Sequence, residues 1–291
     1  MYAGTFDYYR ARSLAEAQQL LTAHPGAKLL AGGHSLIPLM KLRLAAPTAV
    51  VDIGRVPELR GITRSDGGIR IGALTTHADL AASAELRGAA EALAGAAAMV
   101  GDPAVRNRGT IGGNVAHADP ASDLPTVLVA LAARMIAAGA EGERTIDADQ
   151  FFTGIMTTAL ADGEILVAID VPAAGRGQGS AYEKFVHPAS RYAVVGAAAL
   201  VTIQHDTFAA ARVALGGLLP NARRAPAIEG ALIGRPASAE TIAAAARLAA
   251  DDLGGEATGD LFASAEYRMA MTPIYVTRAL ETAVARAKRG S

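Results

Sequence analysis

The chain of 291 residues contains no cysteine. That absence removes disulfides, thiolate metal sites, cysteine nucleophiles and iron–sulfur ligation from this polypeptide, and it is compatible with a reducing cytoplasm. Charge of neither sign dominates. Lys and Arg number 27 against 28 Asp and Glu, for a formal net charge of −1, and no dense basic block occurs, so nucleic acid is not an expected partner. Long apolar runs are also missing. The hydrophobic fraction of 51% is inflated by alanine, and the most apolar stretch, Ala193 to Ile203, falls far short of the roughly 20 residues of a membrane span. The opening residues Met1 to Asp7 lack a basic segment followed by an apolar one, so no signal peptide is expected. Neither G-x-G-x-x-G nor G-x-x-x-x-G-K-[ST] is present, which takes support from the common dinucleotide and P-loop architectures. No G-x-S-x-G elbow supports a hydrolase triad. His117 and Asp119 form H-x-D, but a third metal ligand at a convincing spacing is missing, so no metal is expected.

What is there suggests two domains, the prior for this length. Ser13-Leu14-Ala15-Glu16 is a capping-box pattern that opens a helix ended by Pro25-Gly26. Lys28-Leu29-Leu30 reads as a strand, and Ala49 to Ile53 as a buried strand that closes a small β-α-β-α-β lobe, residues 1–55. Leu59 to Thr63 and Gly68 to Ala73 flank Ser65-Asp66-Gly67, a hairpin signal. Thr75-Thr76-His77 leads into a helix, and Ala84 to Met99 is expected as a single Ala-rich helix. Then come a helix from Leu124 to Ala132, short strands at Arg134 to Ala137 and Arg144 to Ile146, a helical turn at Gln150 to Phe152, and a strand from Glu164 to Pro172 that completes a second lobe, 56–175. Gly175 to Ser180 is the linker candidate. Beyond it, strands at Ala181 to Val186, Ala193 to Ile203 and Ala209 to Leu215 precede helices at Ala225 to Ile233, Ser238 to Ala250 and Ser264 to Ala287. That is an α+β order, in a domain spanning 178–288.

Two glycine loops punctuate this pattern. Lys28-Leu29-Leu30 runs into Ala31-Gly32-Gly33-His34, and from Ser35 the residues Leu36, Leu39, Met40 and Leu42 recur on one side of a helix. Glycines at such a turn allow close backbone approach to a ligand, and Ser35 suits an N-cap. An anion at a helix start gains about 0.3–2 kcal/mol and meets unpaired N–H donors. A plain turn is the alternative. The second loop, Arg106-Asn107-Arg108-Gly109-Thr110-Ile111-Gly112-Gly113-Asn114, again combines glycines with short polar side chains and is followed by Asp119 and Asp123. Two such loops suggest a diphosphate held from both sides.

The segments AGGHSLIPLMK and RNRGTIGGNVAHADPASDLP resemble the two flavin-binding loops of the FAD-carrying medium subunit of molybdenum hydroxylases, the group of carbon monoxide, xanthine, aldehyde and nicotine dehydrogenases. The resemblance continues through Lys184 to Val201, Gly216 to Leu232 and Ser264 to Leu280. It implies a two-lobed FAD-binding domain of the vanillyl-alcohol-oxidase (PCMH) type, followed by a smaller α+β domain with a three-stranded antiparallel sheet and helices. It also implies FAD contacts along Leu29, Leu30, Ala31, Gly32, Gly33, His34, Ser35 and Leu36, and along Thr110, Ile111, Gly112, Gly113, Asn114 and His117. The glycines are expected to bring backbone N–H groups to the diphosphate. His34, Ser35, Thr110 and Asn114 are expected to bond phosphate or ribityl oxygens.

Asp123 sits where the family places a carboxylate on a sugar hydroxyl, and an N-cap for the following helix fits it equally well. By the same resemblance Lys184 reaches the flavin end, against the alternative of a solvated edge lysine. Tyr192, with Arg191, matches the segment near the isoalloxazine, and Leu166 packs on the ring, with core packing as the alternative for Tyr192 and Leu166.

The function so implied is one link in a relay. A molybdopterin-binding large subunit oxidises the substrate, a small [2Fe–2S] subunit passes electrons on, and this chain's flavin delivers them to NAD, a quinone or another acceptor. Without cysteine any iron–sulfur cluster sits on another chain, which disfavours the benzoyl-CoA-reductase-like branch with its extra cluster. No side chain is needed as a catalytic acid or base, and the expected assembly is a dimer of heterotrimers. The alternatives are a self-sufficient FAD oxidase of the vanillyl-alcohol-oxidase type and a binding module that has lost its cofactor. The substrate, read on the large subunit, stays open.

Overall fold

The computed structural model describes residues 2–65 and 67–289; Met1 of the opening segment and Asp66 of the expected hairpin turn lie outside the described residues. Strands β1 (Asp7–Arg10), β2 (Lys28–Leu30) and β3 (Ala49–Asp52) form a parallel sheet in the order β1-β3-β2. Helices Leu14–Ala23 and Leu36–Lys41 supply the crossovers that parallel pairing requires. Ser13 caps the first of them by accepting from the Glu16 N–H. Strand β1, the opening strand of the expected β-α-β-α-β lobe, has no range legible in the pattern because it is short and mostly exposed; its pairing with β3, and the Tyr8 hydroxyl donating to Asp52 Oδ2 at 2.5 Å, hold it in place.

The second lobe is an antiparallel sheet ordered β4-β5-β10-β6-β7, built from β4 (Ile62–Ser65), β5 (Gly68–Gly72), β6 (Arg134–Gly139), β7 (Gly142–Asp147) and β10 (Ile165–Pro172). A small hairpin, β8 (Phe152–Gly154) and β9 (Thr157–Thr158), stands apart from it. The helix expected from Ala84 to Met99 is in fact two, Ala84–Ala89 and Glu91–Met99, divided at Ala90. Tertiary partners replace the missing helical bonds there: Ala174 N donates to Ala89 O, and Ala92 N donates to Ser180 Oγ.

The third sheet joins β11 (Gln178–Val186), β12 (Ala193–Gln204), β13 (Thr207–Gly216) and the two-residue edge strand β14 (Arg223–Arg224), all antiparallel. The expected three strands are present with that short addition. Strand β11 starts inside the glycine-rich stretch read as a linker, because Gln178 already pairs with Thr202. One face of the sheet carries Ala181, Ala197 and Ala199 into a core shared with helix Ala265–Arg289; the other sends Tyr182, Ala198 and Ala214 into the core of the second lobe. With both faces covered, β12 reads as a continuous apolar run rather than an alternating one. A Cβ on Gly179 would lie 2.1 Å from Ala283 O, so the C-terminal helix crosses β11 at backbone contact. The helix read from Ser238 to Ala250 is likewise split, into Ala239–Ala246 and Ala249–Leu253.

Candidate functional site

Between the first two lobes, and closed at one end by Ser190, Arg191 and Tyr192 of the third sheet's β11–β12 connection, lies a cavity of about 710 Å³. That is within the usual range for small-molecule and cofactor sites. The first glycine loop lines it from Leu29 through Leu36 without a gap. Gly33 adopts φ +74°, a left-handed conformation that glycine takes without strain. At Gly32 a Cβ would fall 2.2 Å from the Arg108 carbonyl oxygen, so the two loops touch through a position that only glycine fits.

The backbone donors of this loop are unspent. The N–H groups of Gly32, Gly33, His34, Ser35 and Leu36 meet no protein acceptor among the described residues. Ser35 stands at the N-cap position of Leu36–Lys41 but accepts no capping bond, contrary to expectation, because its backbone is already α-like at φ −110°, ψ −51°. Its side chain acts on the Tyr192 phenol, opposing the upward push of burial. The His34 ring turns back to Gly32 O, 3.0 Å from Nδ1.

The second loop spends its donors internally. Ile111 N donates to Thr75 O, Gly112 N to Ala73 O, Gly113 N to Thr110 Oγ1 and Asn114 N to Thr110 O. The amides of Gly112 and Gly113, expected to meet a diphosphate, are therefore already bonded. Gly112 is required for packing: a Cβ there would sit 2.4 Å from Ala73 Cβ. Thr110, Gly112, Gly113, Asn114 and His117 line the cavity, whereas Ile111 is fully buried in the core of the second lobe. The Asn114 side-chain carbonyl accepts from Ser122 Oγ at 2.8 Å, which leaves its amide N–H₂ for the cavity.

Asp123 lines the cavity but caps nothing. Ser122 occupies the N-cap position, and Asp123 is the first helical residue. Its oxygens accept from Tyr182 Oη at 2.7 Å and Lys184 Nζ at 2.8 Å, both on β11, so the pair bolts the second lobe to the third sheet. Burial pushes the Asp123 carboxyl above its ordinary value, and the Lys184 ammonium and Tyr182 hydroxyl oppose that shift. Lys184 is neither a solvated edge residue nor part of the cavity wall. It is buried, and it also donates to Met99 O and Arg191 O, so its three protons are taken. Leu166 is buried and lines the cavity; Tyr192 lines it at 41% exposure, its phenol pushed up by burial and by Asp119 and Asp123.

Among the lining residues that escaped the sequence reading, one carries an ionisable ring buried without a partner. His77, in a stretch read only as the entry to a helix, is 3% exposed and its Nδ1 has no partner. Burial, with His34 and Arg106 nearby, lowers it from 6.5 to about 4, so it is neutral at pH 7. The available signal was the capping box Thr76-x-x-Asp79, which pins the ring's position. A smaller cavity of about 450 Å³, which shares Leu30, Ala31, Gly32, Leu74 and Thr110 with the larger one, is lined by Arg10, Arg55, Arg60 and Arg108 with one carboxylate, Asp52. That excess of positive charge beside the first loop favours an anion there. No group of acidic and histidine side chains suited to a metal ion occurs among the described residues, and none of their helices is long and apolar enough to cross a membrane.

Residues 4–174 match the family described as the FAD binding domain in molybdopterin dehydrogenase, and residues 180–283 match the CO dehydrogenase flavoprotein C-terminal domain. The carbon monoxide dehydrogenase medium chain of Hydrogenophaga pseudoflava is 41% identical over 282 residues, covering 97% of this chain and 98% of that one. Among solved structures, a chain of carbon monoxide dehydrogenase from the same organism, in a form lacking the Mo-pyranopterin moiety, superposes with TM-score 0.93 at 42% identity over 98% of this chain and 99% of that one. A chain of quinoline 2-oxidoreductase from Pseudomonas putida 86 gives TM-score 0.92 at 33% identity, covering 99% of each. These matches support the dehydrogenase-subunit reading and not the self-sufficient oxidase. The chain belongs to the family of FAD-binding medium subunits of molybdopterin-containing dehydrogenases.

Proposed function

We propose that this chain holds one FAD noncovalently in the large cavity and serves as the electron-delivering subunit of a molybdenum hydroxylase complex. The observation that carries the proposal is the run of five consecutive unpaired amides, Gly32 to Leu36, along the cavity wall. Desolvating such donors without an acceptor is costly, and an anionic diphosphate is the acceptor their number and spacing suit. Asn114 adds a side-chain donor from the opposite wall, His34, Ser35, Thr110 and His117 adjoin the same space, and Leu166 and Tyr192 offer apolar and aromatic surface for a ring system. Electron transfer in such a site is the flavin's own chemistry. The chain's residues bind and orient the cofactor, exclude water from it, and set the local charge.

The relatives' names, a medium chain of carbon monoxide dehydrogenase and an enzyme with a Mo-pyranopterin moiety, support an assembly with other chains. The proposed partners are a molybdopterin-binding large subunit and a small [2Fe–2S] subunit, in a dimer of heterotrimers, with NAD, a quinone or another molecule as acceptor. Iron–sulfur ligation belongs to a partner, since this chain has no cysteine. We place the domain boundary at 175–178 and the protein in the cytoplasm.

Reconstitution tests the proposal. Purified chain incubated with FAD and desalted should retain one flavin per chain, and acid precipitation should release it to the supernatant. Protein that retains no flavin would refute the reading; flavin left in the pellet would refute noncovalent binding.

A further inference from the structure

Of the buried side-chain polar atoms without a hydrogen-bond partner among the described residues, His77 Nδ1 alone belongs to a residue lining the large cavity. An enclosed nitrogen without an acceptor constrains which tautomer the ring can adopt. The backbone that carries the ring is firmly held, and the ring itself is buried. His77 opens helix His77–Ala82, whose N-cap Thr76 forms a reciprocal capping box with Asp79, and the His77 N–H donates to Gly109 O at 3.0 Å. A Cβ on Gly109 would fall 2.8 Å from the ring's Cδ2 and 3.0 Å from Nε2, so the imidazole lies directly against the second glycine loop. His34 of the first loop is close enough to act on it electrostatically. The ring therefore stands where the two loops converge.

The two nitrogens differ. Nδ1 is enclosed and unbonded; Nε2 also lacks a protein partner but is not among the enclosed atoms. An enclosed N–H with no acceptor is less tolerable than an enclosed lone pair with no donor. The proton of the neutral ring thus belongs on Nε2, and with Nδ1 enclosed, Nε2 is the ring nitrogen left to reach a ligand in the cavity that His77 lines.

We propose that His77 is a cofactor-binding residue that donates from Nε2–H to a phosphate oxygen of the dinucleotide held by the first loop. This rests on the cavity being the FAD site. The spent amides of the second loop give the assignment its logic: His77, packed against Gly109, supplies from that side the donor that Gly112 and Gly113 do not.

The test uses full-length chain and FAD, with dissociation constants from flavin fluorescence. His77→Gln, whose amide N–H₂ reaches the Nε2 position, should bind FAD within about threefold of the unaltered chain. His77→Asn, whose amide reaches only the Nδ1 position, and His77→Leu should each weaken binding about 10- to 100-fold, as expected for one hydrogen bond to a charged group. Two-bond ¹H–¹⁵N spectra of histidine-labelled protein should show the Nε2–H tautomer in both free and FAD-bound forms. Loss of affinity in Gln and Asn variants alike, retention in the Leu variant, or an Nδ1–H tautomer would overturn the assignment while leaving the FAD site standing. Failure of the unaltered chain to bind FAD would instead refute the proposed function.

Discussion

The two glycine loops carry nearly the same sequence signature and differ in almost every physical respect. In the first, glycine serves conformation and approach: Gly33 takes a positive φ, Gly32 admits the Arg108 carbonyl, and five amides find no partner among the described residues. In the second, glycine serves packing: Gly112 lies against Ala73, Gly109 against His77, and the loop's amides are consumed by Ala73, Thr75 and Thr110. The first loop belongs to a three-stranded sheet with an exposed edge; the second is wedged among helices and backed by the buried Asp123–Lys184 pair. One wall of the site is a donor surface that a ligand completes. The other is a preformed buttress that presents side chains. Damage to the first should therefore appear as lost affinity, and damage to the second as lost stability.

The largest effect is expected behind the second loop. Lys184→Met removes the cation from an Asp123 carboxylate that has almost no access to water, and breaking a buried pair from one side costs about 3–5 kcal/mol. Urea unfolding of the apo chain should show it, and Asp123→Asn combined with Lys184→Met should recover much of the loss. If Lys184→Met left the midpoint unchanged, the buttress description would fail.

Next in size is the acid response of His77. Its folded-state value of about 4 lies below the ordinary 6.5, so the folded chain binds fewer protons than the unfolded one between those limits. Its contribution is complete above pH 6.5 and is lost as pH falls through the window toward 4, by about 3 kcal/mol at the lower end. Unfolding curves of the apo chain and of His77→Gln from pH 7 to 4.5 should diverge, with the variant less acid-sensitive. Parallel pH dependences would mean that the ring titrates freely and is not enclosed.

Glycine-to-alanine exchanges sharpen the contrast between the loops. Gly112→Ala drives a methyl against the Ala73 Cβ and carbonyl, where backbone cannot yield, and should cost about 1–3 kcal/mol of apo stability. Gly33→Ala meets only the side-chain ends of Ile37 and Leu30 but must hold φ +74°, a cost of about 1–2 kcal/mol, and should weaken FAD binding roughly tenfold through displaced amides. Thermal melts and FAD titrations on both variants decide the point. A Gly112→Ala chain that lost FAD affinity as Gly33→Ala does, with its stability unchanged, would dissolve the distinction.

The sequence pattern located both loops because strand, double glycine and helix start are contiguous there. What each glycine does was hidden, since Ala73, Arg108 and His77 reach the loops only through tertiary folding. The same reason explains Asp123 and Lys184. Each was assigned a local or ligand-facing role, yet they are 61 residues apart in sequence and 2.8 Å apart in space. Long apolar elements such as β12 were legible in outline, although covering both its faces erased the alternation that would have told them apart. Short or exposed strands, β1 and β14 among them, carry too little burial to leave a pattern. The break at Ala90 is invisible in an alanine-rich run because its cause lies at Ser180 and Ala174.

The smallest effect tests the comparison at its finest grain, because Ser35 and Thr110 look alike in sequence, each a hydroxyl residue at the start of a glycine-loop helix. Thr110 accepts from Gly113 N at 3.2 Å, whereas Ser35 accepts no capping bond. Thr110→Ala should then cost about 1 kcal/mol of apo stability, the usual value of an N-cap, while Ser35→Ala should stay within about 0.5 kcal/mol. Affinity should run the other way for Ser35, which lines the cavity together with Tyr192 and acts on its phenol. Removing it should raise the FAD dissociation constant by a few-fold without moving the melt. Equal stability losses in the two alanine variants would mean that Ser35 caps its helix in solution. The first loop would then be closed on itself like the second, and its unpaired amides would no longer mark it as the side that waits for a ligand.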